Sequence, residues 1–182
     1  FILTLVHFTG DFYSAFFSPL LPAFVDKLGL TMAQVGLITG MVRFFSFMVQ
    51  PVTGYLADRY ETRGFVLIGL FMAFFFIPFT GTAPNFWILM ILLSLGSIGS
   101  SIFHPSTVGM IPLYAGNRAG FCLSIYNTGG TLAFGVSPIF ITWYVGRFGL
   151  EKMPYTLLLG GMAFLFCLKY LPVPVSEQLK SR

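Results

Sequence analysis

Hydrophobic positions divide the chain into six apolar runs separated by short polar stretches. Each run is near or above the roughly 20 residues that a helix needs to cross the hydrocarbon core of a bilayer. The pattern therefore predicts an all-α bundle of six transmembrane helices, here called segments 1 to 6. Their expected limits are about residues 1–25, 32–57, 65–80, 86–114, 119–145 and 155–171. The bundle fills residues 1–172, and residues 173–182 are expected to form a cytoplasmic tail or the start of an interdomain linker.

Polar residues recur at helical spacing in segments 1, 2, 4 and 5, whereas segments 3 and 6 are apolar nearly all round. Such a period places the polar residues of a segment on one face. We expect the striped segments to face protein or water and the plain segments to face lipid. Stripes of serine, threonine and glycine also arise where helices simply pack closely. Segment 1 has Thr4, His7, Asp11, Ser14 and Ser18, and segment 2 has Thr39, Arg43, Ser46, Gln50 and Thr53.

The order of striped and plain segments repeats after three helices. Two proline pairs agree with that repeat, since Pro19 and Pro105 lie in segments 1 and 4 and Pro51 and Pro138 in segments 2 and 5. A unit with three helices leaves its second copy inverted in the membrane, as in many secondary transporters. The sequence thus predicts two inverted three-helix repeats.

Composition supports a membrane protein and excludes a soluble domain. The chain is 56% hydrophobic and 9% charged, whereas soluble domains average about 25% charged residues. Cys122 and Cys167 fall inside apolar runs and show no metal-ligand spacing. We predict no metal, no cofactor and, from a net charge of only +4, no nucleic-acid partner.

Basic residues favour a cytoplasmic N-terminus, because cytoplasmic loops carry an excess of lysine and arginine. That orientation is expected to place six basic residues inside and three outside. The inner ones are Arg59, Arg63, Arg118, Lys169, Lys180 and Arg182, and the outer ones are Lys27, Arg147 and Lys152. We therefore expect a multi-pass protein of the cell's inner (plasma) membrane.

Two charged residues, Asp11 and Arg43, fall within the predicted membrane helices. A charge at such a depth costs at least about 2.5–3.5 kcal/mol and usually faces a cavity or a partner. Asp11 is the best candidate for a proton carrier, and Arg43 could hold either Asp11 or an anionic substrate. The alternative is a structural ion pair between segments 1 and 2. His104 either faces a cavity or makes a hydrogen bond between helices, and Pro105 can bend its helix.

Depth along the helices predicts which of these residues meet. At about 1.5 Å per residue, Asp11 and Arg43 lie ~22 and ~18 Å from the outer ends of their segments, and His7 and His104 both lie ~28 Å in. Asp11 and Arg43 should therefore share a level near the membrane centre, and the histidines a level nearer the cytoplasm. We predict a contact between Asp11 and Arg43, direct or through one water, in at least one transport state.

The stretch "GYLADRYETR" (54–63) resembles the signature between helices 2 and 3 of the major facilitator superfamily. The pieces "HFTGD", "SPLLP", "GSSIFHP" and "SIYNTGG" further resemble the fosmidomycin-resistance branch. The resemblance implies the first half of a twelve-helix fold, with a central cavity lined by helices 1, 2, 4 and 5. The signature implies a gating role for Gly54, Asp58, Arg59 and Arg63. Together with the charge and depth of the residues, it leaves as candidates proton-coupling Asp11, His104 and His7 and substrate-binding Arg43, Gln50, Asn127 and Ser101. Asp58 is expected to pair with an arginine or to cap a nearby helix end.

The leading functional hypothesis is a secondary transporter that works by alternating access. It would export a small amphiphilic or anionic compound in exchange for protons, with a second six-helix half in the same chain or in another copy. A proton-coupled uptake symporter remains an alternative. More remote alternatives are a non-transporting six-helix subunit and an intramembrane enzyme. No G-x-S-x-G or H-E-x-x-H motif is present, so we predict that the protein is not an enzyme.

Overall fold

The computed structural model describes residues 1–60 and 62–173, and in these residues the regular secondary structure is helical, without a β-strand. The predicted tail beyond Val173 and Glu61 of the signature lie outside the described residues. The described helices are α1 (Ile2–Ser14), α2 (Phe17–Leu28), α3 (Met32–Ala57), α4 (Thr62–Phe79), α5 (Phe86–Ala115), α6 (Ala119–Phe148) and α7 (Leu157–Tyr170). Short 3₁₀ turns occupy Thr80–Thr82, Gly116–Arg118 and Leu150–Thr156.

Four helical stretches of the described chain are long and apolar enough to cross a membrane. They are Met32–Ala57, Thr62–Thr82, Phe86–Phe148 and Leu150–Tyr170. The third is 63 residues long and contains both α5 and α6, which correspond to predicted segments 4 and 5. Segment 1 was expected as one helix but is divided into α1 and α2, of 13 and 12 residues. The prediction of six continuous membrane helices is therefore corrected at segment 1.

The interruption between α1 and α2 has a local cause in the backbone. The amide of Phe16 donates to the Tyr13 carbonyl, three residues back, at 3.0 Å. Pro19 has no N–H to donate to the Ala15 carbonyl, so the regular ladder cannot continue through this turn. The Phe12 carbonyl, which loses its helical donor, accepts instead from the Ser137 hydroxyl of α6 at 2.5 Å.

Helix α3 begins with a capping box. The side chain of Thr31 accepts from the Gln34 amide, and the Gln34 side chain accepts from the Thr31 amide at 2.9 Å. These two bonds satisfy amide groups that the first turn leaves without a helical partner. The preceding helix ends at Gly29, which adopts φ 61°, a conformation that costs glycine little. This sharp boundary agrees with the start predicted for segment 2.

Glycines allow α4 and α5 to pack closely. A Cβ atom placed on Gly99 would lie 2.7 Å from the Ala73 nitrogen and from the Gly69 carbonyl oxygen. A Cβ on Gly69 would in turn lie 2.6 Å from the Phe103 nitrogen. Small residues allow backbones to approach in this way in membranes.

This packing changes the role expected for segment 3. Helix α4 was predicted to face lipid, but it buries Val66, Leu70 and Ala73 completely. In its apolar span, half of the residues are buried, against 6% in the span of α3. The reason is that apolar side chains and glycine serve helix packing as well as they serve lipid contact. Apolar side chains remain exposed on the other side of α4, at Ile68 and Phe71.

Tyr13 attaches α7 to the rest of the bundle. Its buried hydroxyl donates to the Thr156 carbonyl at 2.5 Å and accepts from the Gly160 amide at 2.9 Å. The two partners are four residues apart at the start of α7, the spacing of a helical hydrogen bond, so the hydroxyl bridges this carbonyl and this amide. Helix α1 thereby lies at the centre of the bundle, between α7 on one side and the cavity described below on the other.

Candidate functional site

A cavity of about 410 Å³ opens beside α1, and its wall combines polar and aromatic side chains. Among the described residues it is lined by α1, α2, α3, α5 and α6, with one residue from α4 and none from α7. The four striped segments therefore line the cavity, as predicted. Its polar lining residues are Asp11, Ser14, Ser18, Thr39, Arg43, Ser46, Gln50, Ser97, Ser100 and His104.

The carboxylate of Asp11 is held between two histidines. The Nε2 atom of His7 lies 3.0 Å from Asp11 Oδ2, and Nε2 of His104 lies 3.1 Å from Asp11 Oδ1. His7 and Asp11 are four residues apart on α1, so their side chains project from the same face. His104 reaches them from α5, and the two imidazole rings are 5.0 Å apart. The two histidines thus lie side by side in the bundle, and both contact Asp11.

Burial differs among the three members of this cluster. The side chains of Asp11 and His7 are 4% and 10% exposed, whereas that of His104 is 26% exposed. Asp11 and His104 line the cavity. A buried carboxylate is costly unless it is paired and hydrogen-bonded, and the two imidazoles supply that pairing. His104 is the member of the cluster that is most exposed to the cavity.

His7 connects α6 to the carboxylate of Asp11 through its two ring nitrogens. Its Nδ1 atom is 2.9 Å from the Tyr126 carbonyl oxygen, which can only accept a hydrogen bond, so Nδ1 is placed to donate. Its Nε2 atom lies 3.0 Å from Asp11 Oδ2. The imidazole is therefore held between α6 and Asp11.

Sequence reasoning missed two residues of α6 that enclose this pair. Tyr126 accepts from His7 through its backbone and stacks its ring on the imidazole, with centroids 4.0 Å apart and planes at 18°. Gly130 has no side chain, and a Cβ atom at this position would lie 2.5 Å from His7 Nε2 and 2.7 Å from Asp11 Oδ2. The available signal was the "GG" pair at 129–130, which marks a close approach between helices.

Arg43 lies in the same cavity as Asp11, which fits their predicted common level. In this structure the Asp11 oxygens contact the two histidines rather than the guanidinium. The contact of Asp11 with Arg43, which was expected in at least one transport state, is not made here. Within residues 1–60 and 62–173 Arg43 forms no ion pair, so its charge is available to the cavity. Gln50, one of the predicted substrate residues, lines the cavity too.

Two further substrate candidates lie elsewhere. The buried hydroxyl of Ser101 lies 3.0 Å from the Phe45 and Ser46 carbonyls of α3, so it joins α5 to α3 instead of lining the cavity. Asn127 lies on a different, open face of α6. That face is formed by Ser124, Asn127, Thr128, Thr131, Leu132 and Gly135.

The signature residues lie near the end of α3 and the start of α4. Gly54 lies opposite Pro105, with space for ordinary contact only. Arg59 bonds to the Tyr55 hydroxyl and lies over its ring, and Arg63 donates to the Leu168 carbonyl of α7 at 2.6 Å. Asp58 is the C-terminal cap residue of α3 and is exposed. In the described part of the chain it forms no ion pair, so the expected arginine contact is not seen.

The cluster also has the composition of a metal site. His7, Asp11 and His104 each offer one ligand atom, and these atoms lie within 4.8 Å of one another. The sequence had predicted no metal, and the three residues could hold an ion such as zinc, which binds imidazole and carboxylate. In this structure the two histidine nitrogens lie 3.0 and 3.1 Å from the carboxylate oxygens.

The fold and the site thus define a helical membrane bundle with a polar cavity and a buried cluster of two histidines and one aspartate at its wall. The sequence model of the Major Facilitator Superfamily matches residues 1–182, and the chain belongs to this superfamily. The resemblance found in the sequence is thereby confirmed.

Relatives of known sequence and structure agree with this assignment. The chain is 24% identical over 163 residues to the fosmidomycin resistance protein of Escherichia coli K12, covering 90% of this chain and 40% of that protein. It is 26% identical over 172 residues to the uncharacterized transporter YfnC of Bacillus subtilis, covering 93% and 42%. A bacterial homolog of the human lysosomal transporter Spinster, solved inward-facing and unoccupied, has a TM-score of 0.72 at 19% identity, covering 92% of this chain and 40% of that one. The chain thus spans about two fifths of the length of these relatives.

Proposed function

We propose that the chain is the N-terminal half of a secondary active transporter that exports a small amphiphilic or anionic compound in exchange for protons. The observation that carries the proposal is the buried cluster of Asp11, His7 and His104 beside the cavity. A group that couples transport to protons must gain and lose a proton where the substrate also binds. The cluster offers such a group at the cavity wall.

The exchange step follows from the contacts. A proton from the cavity reaches His104, the most exposed member, and passes to the Asp11 carboxylate. Loading the cluster removes its negative charge, and unloading it restores that charge between two imidazoles. The electrostatic character of the cavity wall therefore depends on the protonation of the cluster. A substrate that senses this charge is favoured in one state and disfavoured in the other, which is the requirement for coupling. An anionic compound is favoured by the loaded cluster, so this charge effect alone couples it in the same direction as the proton. Exchange requires in addition that the bound compound and the loaded proton exclude each other at the cavity wall.

The class of substrate follows from the rest of the cavity. Arg43 contributes a positive charge, and Gln50 a neutral hydrogen-bonding group. Phe17, Phe47 and Phe134 line the cavity with aromatic rings. Guanidinium groups bind carboxylate and phosphate-like groups by paired hydrogen bonds. The combination suits a compound with an anionic group and an apolar body.

Replacing Arg43 should separate anionic from neutral substrates. We expect Arg43→Gln to raise the KM for an anionic compound about 10- to 100-fold, because a hydrogen bond to a charged group contributes about 1.5–3 kcal/mol. Arg43→Lys is the matched control, since it keeps the charge and should lose less. KM values would be measured for anionic and neutral compounds of similar size. An equal loss for both kinds would show that Arg43 does not recognise an anion.

The second half of the transporter has a candidate docking face on α6. Its serine, threonine and asparagine side chains are exposed in this structure, although the helix lies in a predicted membrane span. Polar side chains at such a depth usually face protein or water. We propose that a second six-helix half, in the same chain or in another copy, packs beside this face. The whole transporter would lie in the inner (plasma) membrane with a cytoplasmic N-terminus.

Asp58 is expected to act in gating rather than in folding. It lies at the C-terminal end of α3, where the helix dipole disfavours a negative charge, and it forms no ion pair in the described residues. We therefore expect Asp58→Asn to lower the transport rate at least about 10-fold with little change in expression. The rate would be compared with the yield of folded protein. An equal loss of both would indicate a structural role.

Cells and liposomes offer the test of the proposed activity. The first probe compound is fosmidomycin, because a relative is named for resistance to it. Cells that produce the full-length protein should tolerate more of the compound, whereas an uptake symporter would make them more sensitive. In liposomes, an outward gradient of a transported compound should move protons across the membrane. Transport without any proton movement would contradict the proposal.

A further inference from the structure

We propose that His7, Asp11 and His104 form a binding site for a divalent transition-metal ion such as zinc or cobalt. Each residue offers one ligand atom, and these atoms lie within 4.8 Å of one another. Three features of the cluster support the site, namely the spacing of its atoms, the orientation of His7 and a buried oxygen of Asp11 that lacks a hydrogen bond. Binding of an ion requires neither transport nor a proton gradient, so the site goes beyond the proposed function.

The spacing of the ligand atoms suits a small divalent ion. Nε2 of His7 lies 3.0 Å from Asp11 Oδ2, and Nε2 of His104 lies 3.1 Å from Asp11 Oδ1. Zinc binds imidazole nitrogen and carboxylate oxygen at about 2.0–2.2 Å, so two neighbouring ligands of one ion lie about 3–3.6 Å apart at octahedral or tetrahedral angles. Each histidine nitrogen therefore already lies at about the distance from the carboxylate that a shared ion requires.

His7 is held in the orientation of a metal ligand. Its Nδ1 atom is placed to donate to the Tyr126 carbonyl at 2.9 Å, and the Tyr126 ring stacks on the imidazole with centroids 4.0 Å apart. Histidines that bind metals almost always donate their other ring N–H to a carbonyl, a carboxylate or water in this way. When Nδ1 of a neutral imidazole donates, Nε2 keeps a lone pair for an ion. In His7 this is the atom that faces Asp11.

One carboxylate oxygen of Asp11 lacks a hydrogen bond. The side chain is 4% exposed, and within the part of the chain that the structure describes its Oδ1 atom accepts no hydrogen bond. His104 pairs with this oxygen at 3.1 Å, but not in hydrogen-bonding geometry. A buried acceptor that is left without a hydrogen bond costs about 1–3 kcal/mol or more. An ion between Oδ1 and the imidazole nitrogen would satisfy both atoms.

The ligand set and the cavity determine which ions fit. Imidazole with carboxylate suits transition-metal ions such as zinc and cobalt, whereas calcium and magnesium prefer oxygen ligands. Three protein ligands leave coordination positions open, and His104, at 26% exposure, lines the cavity from which water can fill them. Arg43 lines the same cavity, and its positive charge repels a cation. Arg43→Gln should therefore bind the ion more tightly than the wild type.

The test is ion binding by the purified full-length protein in detergent, without a compound to transport and without a pH gradient. Cobalt is the probe, because its visible absorption changes when nitrogen and oxygen ligands bind it, and zinc is the competitor. His7→Gln, Asp11→Asn and His104→Gln each remove one ligand. Asp26→Asn is the matched control, since Asp26 is exposed at the end of α2 and does not line the cavity. Size-exclusion chromatography shows which variants fold.

We expect the wild type and Asp26→Asn to bind cobalt with a Kd below about 100 µM, and zinc to displace it. Loss of an outer-shell partner alone costs about 10- to 100-fold in metal affinity, so each folded ligand variant should bind at least about 10-fold more weakly. Wild-type affinity in the folded ligand variants, or a wild-type Kd above that limit, would overturn the inference.

Arg43→Gln keeps all three ligands and decides the matter if no ligand variant folds. Tighter binding of cobalt than in the wild type would support the site, and equal or weaker binding would overturn it. The proposed function is tested separately, because transport without protons by a protein that binds cobalt at these residues would overturn the export mechanism and leave the metal site in place.

Discussion

Asp11→Asn is expected to abolish transport driven by a pH gradient while the protein still folds. Asparagine has nearly the size of aspartate but cannot take up and release a proton at neutral pH. His7 and His104 then lose the carboxylate that they both contact. Arg43 does not contact Asp11 in this structure, so the variant leaves no buried arginine unpaired. Accumulation of a transported compound in liposomes under an imposed pH gradient measures the loss, and size-exclusion chromatography of purified protein measures folding.

Asp26→Asn is the matched control for this substitution. The chemical change is the same and the residue directly follows the same predicted span, but Asp26 is exposed at the end of α2 and does not line the cavity. We expect it to transport at the wild-type rate. A folded Asp11→Asn protein that accumulates substrate under a pH gradient would remove Asp11 from the coupling step.

Gly99→Ala is expected to destabilise the bundle more than other glycine substitutions in α5. The added methyl would lie 2.7 Å from the Ala73 nitrogen and from the Gly69 carbonyl oxygen, which are backbone atoms that cannot turn aside. Overpacking of this kind costs about 1–3 kcal/mol. The unfolding temperature of the full-length protein in detergent would measure the effect.

Gly109→Ala provides the comparison on the same helix. A Cβ at Gly109 meets nothing within 4 Å, and replacing glycine by alanine within a helix favours folding by about 0.5–1 kcal/mol. We expect an unchanged or slightly raised unfolding temperature. If both variants unfold at the same temperature, the glycine contact does not hold α4 against α5.

Helix positions followed from the sequence because burial in lipid leaves long apolar runs. Segment 2 and α3 have the same limits, and α5 and α6 begin where segments 4 and 5 were expected to begin. The division of segment 1 was not predicted, although Pro19 and Pro22 each lack the N–H that a continuous helix uses for its hydrogen bonds. Periodicity does not distinguish a proline that bends a helix from one that interrupts it. Here the Phe12 carbonyl accepts a hydrogen bond from Ser137 of a distant helix, a contact that the local sequence does not show.

The membership of the cluster was predicted better than its contacts. The spacing of His7 and Asp11 places them on one face, and the family resemblance singled out His104. Arg43 was nevertheless expected as the partner of Asp11, since opposite charges at one depth attract. Whether Asp11 meets Arg43 or His104 depends on how closely α1 packs against α3 and α5. That packing depends on local fits such as the Phe103 ring against Gly10, which the periodicity of the sequence does not reveal.

The most direct test of the central claim is substrate exchange by Asp11→Asn in liposomes of equal pH on both sides. Exchange of labelled for unlabelled compound needs binding and alternating access but no net movement of protons. If the cluster of Asp11, His7 and His104 carries protons, the variant should exchange the compound at a rate close to that of the wild type and show no response to a pH gradient. If the variant loses both exchange and proton-driven transport, Asp11 serves substrate binding or the conformational change itself. That result would contradict its assignment as the proton carrier.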